Sequence, residues 1–124
     1  MDTLGGPALV PGGIVCASAA LTEAGRGVRF LVVAHGSVRP AFAIRYRGRA
    51  YAYLNACAHK AVELDWQEGD FFDADGQRLI CATHGALYDP ATGACIAGPC
   101  RGRALTAVAV QERDNVIILD QAIP

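Results

Sequence analysis

Apolar and polar residues alternate with a period of two through much of this chain. Phe42, Ile44 and Tyr46 alternate with Ala43, Arg45 and Arg47, and Gly48 supplies a turn into RAYAYLN. That pattern predicts a β-hairpin. The β-branched run VRFLVVA at residues 28–34 predicts a strand before it, ending at a His35-Gly36 turn. Three more hairpins are predicted downstream. DFFDADGQRLICA turns at Asp75-Gly76, LYDPATGACIA turns at DPATG, and RALTAVAVQERDNVIILD turns near Asp114-Asn115. Short strands at such regular spacing predict an all-β fold of antiparallel sheets, as a sandwich or open barrel. Helical signal is thin. SAALTEAG (residues 18–25) predicts one turn capped by Ser18 and stopped by Gly25, and AVELDWQEG (residues 61–69) predicts another. Residues 1–12, rich in Gly and Pro, predict a loose arm, and residues 13–124 a single domain.

Composition narrows the function classes. The chain has 124 residues, is 52% hydrophobic and carries a formal net charge of -1. It can bury a core, and it lacks the basic surplus that nucleic acid would require. No apolar run approaches the roughly 18 residues of a membrane span. The first residues lack Lys or Arg ahead of their apolar stretch, a poor signal peptide, so a cytoplasmic location is expected. Five cysteines cannot all pair within one chain, and in a reducing compartment they point toward metal rather than a disulfide framework.

The chemistry concentrates in one stretch. Cys57-x-His59 is followed after 21 residues by Cys81-x-x-His84, and each pair sits where a strand gives way to a loop. Two loop tips that converge would make a site of two thiolates and two imidazoles, which suits zinc or an iron–sulfur cluster of mixed ligation. Zinc fingers usually group Cys with Cys and His with His. The order Cys, His, Cys, His suits a binuclear centre, each loop giving its cysteine to one metal and its histidine to the other. A structural zinc site stays open at this point.

The motifs CAH…CATHG and YDPATGACIAGP resemble the Rieske-type [2Fe–2S] ferredoxins and domains, and the resemblance runs over about residues 14–120. It implies a Rieske-like fold with a cluster-binding part at about residues 55–100. It implies that Cys57 and Cys81 hold the inner iron and that His59 and His84 hold the outer one. Around these, it implies supporting roles for Lys60, Gly85, Tyr88, Gly98 and Pro99. Tyr88 would donate to a cysteine sulfur. The family's function is one-electron transfer, and the chain is expected to be a carrier rather than an enzyme. Its implied partners are a flavin-dependent reductase and a terminal, ring-hydroxylating oxygenase, with no nucleic acid and no membrane. The other readings are the small subunit of a nitrite-reductase-like complex and a zinc-stabilised binding module without redox function.

Departures from the family sharpen this. High-potential members carry an extra cysteine in each loop, joined as a disulfide; here those positions are Val62 and Thr83. A serine after the second His-Gly is replaced by Ala86. Both changes imply a low to intermediate potential within the span of about -150 to +300 mV. Cys95 and Cys100 are read as ordinary thiols, with a disulfide or a redox-tuning thiol as the other reading, and Cys16 as a core residue. His35 reads as a surface histidine and Trp66 as core packing. Arg39, Arg45, Arg47 and Arg49 read as the wet face of a strand. Asp65, Glu68, Asp70, Asp73 and Asp75 form a candidate acidic docking surface.

Overall fold

The structure is a computed structural model that describes residues 8–58, 62–83, 85–121 and 123. Among the described residues, ten strands make three antiparallel sheets. They are β1 Ile14–Ala17, β2 Val28–Ala34, β3 Ser37–Tyr46, β4 Arg49–Leu54, β5 Leu79–Ile80, β6 Leu87–Tyr88, β7 Cys95–Ala97, β8 Ala107–Val108, β9 Val110–Arg113 and β10 Val116–Leu119. The sheets run β1-β10-β9, β2-β3-β4-β8 and β5-β6-β7. No α-helix occurs among the described residues, and none there is long and apolar enough to cross a membrane.

The period-two pattern explains the layering. In β3 and β4, Phe42, Ile44 and Tyr53 belong to one apolar cluster, while Ala41, Ala43, Ala52 and Leu54 belong to a second. The central sheet is therefore buried on both faces. One face packs on β10 through Ile117 and Leu119, and the other packs on the small sheet and its loops through Leu79, Tyr88 and Leu105. Large residues fill the second face: Phe42 stacks on Phe71 with ring centroids 3.9 Å apart and planes 12° from parallel. The run Ala41, Phe42, Ala43, Ile44 is wholly buried because small and large residues serve different cores.

The tight turns follow their residues. His35-Gly36, Arg47-Gly48 and Asp114-Asn115 all lie in the left-handed region, with φ between 50° and 79°. A two-residue hairpin loop of this kind matches the twist of its strands. In the stretch read as a loose arm, Leu9 N–H donates to Leu31 and Gly12 N–H to Leu119, both at 2.8 Å.

Several expectations need correction. SAALTEAG forms only a 3₁₀ turn at Ser18–Ala20; Ser18 is its first residue rather than its cap, and no side chain caps it. Over residues 62–69 AVELDWQEG forms bends and, at residues 68–69, a single turn closed by Asp70 N–H to the Gln67 carbonyl at 2.9 Å, not a helix. The reason lies in Asp65, whose carboxylate is bonded into the loop and holds it open (below). Trp66 is 89% exposed rather than in the core. Arg45 does not join a wet face. It donates to both oxygens of Glu112, at 3.0 and 2.7 Å, and to the carbonyls of Leu21 and Ser18. Cys16 is half-buried in β1, at a register shift in the pairing with β10, and packs on the second core.

The Arg45–Glu112 fork ties β3 to the β9–β10 sheet. Hydrogen bonding from Arg45 holds the Glu112 carboxyl below its ordinary value of 4.5. A depressed folded-state value adds stability above the unfolded value and loses it as pH falls through the folded one. Glu112→Gln should therefore cost about 1 kcal/mol at pH 7, a modest figure because the pair is partly solvated. The gap from the parent chain should narrow at a pH below the ordinary value of 4.5 and close only beneath the lowered folded one. Urea unfolding at pH 7 and in acid checks this.

Candidate metal centre

β4 ends at Leu54, and the chain passes through Asn55 to Cys57. β5 ends at Ile80, and Cys81 follows at once. Cys57 is 4% exposed and Cys81 is fully buried, both in the core cluster shared with Tyr88. Each cysteine opens a tight loop. Cys57 N–H donates to Val62 across the first loop at 2.8 Å. In the second, Cys81 N–H donates to Ala86 and Gly85 N–H returns to Cys81, at 2.9 and 2.8 Å. Gly85 has φ +71°, which lets the second loop fold back on itself. The loops touch directly: Ala82 N–H donates to Leu64 at 3.0 Å. His59, Lys60 and His84 lie outside the described residues.

Tyr88 stands between the loops. Ala58 N–H donates to its hydroxyl oxygen at 3.0 Å, and that oxygen lies 3.3 Å from Cys57 Sγ. Either atom can donate across that contact; a metal-bound thiolate can only accept, and with it the phenol is the donor. Burial, and then the Cys57 contact, pushes the phenol's pKa up, so Tyr88 remains a donor.

Three features escaped the sequence reading. The first is a buried polar latch. Asn55 accepts from Leu64 N–H at 2.8 Å and donates to Asp65 at 2.9 Å, and the other Asp65 oxygen accepts from Gly69 N–H at 3.0 Å. Arg29 pairs with Asp65, Glu63 and Glu68 at 3.5, 2.7 and 3.8 Å. Asp65 is thus drawn into the fold and leaves the acidic docking surface expected there, whereas Glu68 stays exposed. A polar Asn closing the apolar strand YAYLN was the available signal.

The second is Arg103, which donates to the Ala58 carbonyl at 3.1 Å and so touches the first loop from the far side. The third corrects the reading of Cys95 and Cys100 as separate thiols. They form a disulfide with Cα atoms 5.8 Å apart, within the bridging range. A compartment sets redox conditions, whereas this pairing follows from local geometry. The turn at Gly98-Pro99 brings two residues only five apart in sequence face to face. The bridge should contribute about 2 kcal/mol for so short a loop.

Gly98 adopts φ +98°, and a Cβ there would stand 3.0 Å from Ala86 Cα. Only glycine lets this loop close on the second cysteine loop. Pro99 beside it is exposed.

The donor set can be tested against a cluster. Two buried sulfurs on adjoining loops, one in hydrogen-bond contact with a buried hydroxyl, fit iron–sulfur ligation, in which hydrogen bonds to sulfur tune the centre. The family model for the Rieske [2Fe-2S] domain matches residues 14–116. The chain belongs to the Rieske [2Fe–2S] domain family. Its cofactor is the [2Fe–2S] cluster of that family. No curated protein matches the sequence.

Solved Rieske structures share the fold. The ferredoxin of carbazole 1,9a-dioxygenase from Nocardioides aromaticivorans IC177 matches at 25% identity with a TM-score of 0.66, covering 91% of this chain and 99% of that one. The Sphingomonas yanoikuyae B1 ferredoxin matches at 24% identity with a TM-score of 0.68, covering 89% and 98%. A protein named only provisionally as a nitrite reductase (NADPH) small subunit matches at 17% identity with a TM-score of 0.61, covering 85% and 93%. The last two similarities speak to fold alone.

Tyr88→Phe removes the proton aimed at Cys57 and leaves the core shape intact. A hydrogen bond to sulfur strengthens as charge builds on reduction. A difference of about 1 kcal/mol between redox states corresponds to a fall of about 40 mV in midpoint, at 59 mV per tenfold for one electron. Protein-film voltammetry of the two forms checks it.

Proposed function

We propose that this chain is a one-electron carrier that accepts electrons from a flavin-dependent reductase and passes them to a ring-hydroxylating oxygenase. The observation that carries the reading is the end-to-end match to the ferredoxin of carbazole 1,9a-dioxygenase, with Tyr88 held at Cys57 between the two loops. When bound, the cluster supplies reversible one-electron chemistry.

In this reading Cys57 and Cys81 hold one iron, and His59 and His84 hold the other. The sulfur ligands lie buried in the core. Each histidine follows its cysteine closely in sequence, His59 two residues after Cys57 and His84 three after Cys81. Tyr88 holds its proton at Cys57 Sγ. Gly85 and Gly98 let the backbone close around the site without side chains in the way. Lys60, next to His59 in sequence, adds a positive charge, and Pro99 stiffens the Gly98 turn. The chain itself activates no substrate. Oxygen chemistry belongs to the acceptor, because His35 is the only histidine left for a second metal centre.

A reconstituted assay tests the reading. NADH, a flavin reductase and a ring-hydroxylating oxygenase with its aromatic substrate should turn over only when this chain is added. Reduction of the chain by the reductase with no reoxidation by the oxygenase would remove the oxygenase as acceptor. The nitrite-reductase-like alternative rests on fold similarity alone and would instead appear as stable co-purification with a larger subunit.

A further inference from the structure

The Cys95–Cys100 bridge closes a turn that touches the second cysteine loop directly and the first through Arg103. On one side Gly98 lies against Ala86, so close that a Cβ would meet its Cα at 3.0 Å, and Ala86 accepts the Cys81 N–H. On the other side the turn is pinned to Arg103. Cys95 N–H donates to the Arg103 carbonyl and Arg103 N–H to the Cys100 carbonyl, both at 2.9 Å. The Arg103 guanidinium then reaches Ala58, next to Cys57. The turn is also open to solvent: Ile96 is 40% exposed, and Gly98 and Pro99 are exposed. Cys100 is fully buried, whereas Cys95 is only half-buried.

We infer that Cys95–Cys100 is a thiol–disulfide exchange site for a dithiol reductant, and that its opening loosens the clamp on both cysteine loops. A thiolate of the reductant attacks Cys95 Sγ, the more accessible sulfur. The Cys95–Cys100 bond breaks, a mixed disulfide forms at Cys95, and Cys100 leaves as a thiolate that takes up a proton. The second thiol of the reductant attacks its own bridging sulfur and releases Cys95, which is protonated in turn. Two electrons and two protons pass to the protein, and the reductant becomes a cyclic disulfide. The Gly98–Ala86 approach and the two Arg103 backbone bonds then lose the covalent brace that holds Cys95 beside Cys100. That this loosening reaches a metal site rests on the proposed ligand loops; the exchange itself does not.

The holoprotein is equilibrated in graded ratios of reduced to oxidised dithiothreitol, quenched with iodoacetamide and read by peptide mass spectrometry. Cys95 and Cys100 should become alkylated together in the folded protein. Amide exchange at Cys95 and Arg103 should be about tenfold faster in the dithiol form, as expected for local opening without global unfolding. The double variant Cys95→Ala/Cys100→Ala should show the same acceleration without any reductant. A bridge that alkylates only after denaturation would overturn the exchange site. Unchanged exchange rates in both the dithiol form and the double variant would overturn the clamp. The visible spectrum recorded on the same samples separates this from the functional reading. A colourless protein whose bridge still exchanges supports the exchange site and defeats the carrier. A coloured protein with an inert bridge does the reverse.

Discussion

Cys81→Ser is expected to yield folded protein with essentially no cluster. Cys81 is fully buried and follows β5 without an intervening residue, so its sulfur is fixed by the strand rather than by a mobile side chain. Serine keeps nearly the same shape and costs only about 1–3 kcal/mol for a buried hydroxyl, so the fold should survive. The hydroxyl, however, is a poor thiolate replacement for iron. Iron and acid-labile sulfide per chain should fall to near zero, while far-ultraviolet circular dichroism stays that of a β protein. Cys16→Ser is the matched control. Cys16 lies in β1, packed on the other core, and its loss should leave iron content unchanged. Full iron in Cys81→Ser would remove Cys81 from the ligand set.

The second large effect is on potential. His84→Cys should retain a cluster and lower its midpoint by roughly 100 mV or more, because all-cysteine [2Fe–2S] centres sit near -400 mV and two-histidine Rieske centres at about -150 mV or higher, and this variant makes one of the two ligand changes. An imidazole adds no negative charge to its iron, and a thiolate adds one, which disfavours the further electron. Optical redox titration under anaerobic conditions reads the shift. An unchanged midpoint would show that His84 is not an iron ligand.

The sheets were legible because their side chains follow a period of two and their turns carry the residues that left-handed backbone favours. Phe42, Ile44 and Tyr53 marked one face, and Asp114-Asn115 marked a hairpin that forms as read. The intervening alanines were not legible as a second core. Ala41 and Ala43 look neutral in sequence and are buried in a second cluster with Phe30, Val32, Ile117 and Leu119, residues distant in sequence from them or from one another. Tyr88 was legible from the motif, and the structure puts its hydroxyl on Cys57. The Asn55–Asp65 latch was not, because its two partners lie ten residues apart with no local pattern joining them. Arg103 was further still, 45 residues from the carbonyl it meets. Trp66 misled for a related reason. An aromatic residue usually reads as core, yet its neighbour Asp65 turns inward to Asn55 and Gly69 and Trp66 stays outside.

Metal and spin analysis of the purified chain tests the central claim most directly. Two irons and two sulfides per chain are expected, with a red-brown colour and a paramagnetic signal that appears on one-electron reduction. Colourless protein carrying one tightly bound zinc per chain, silent before and after reductant, would contradict it.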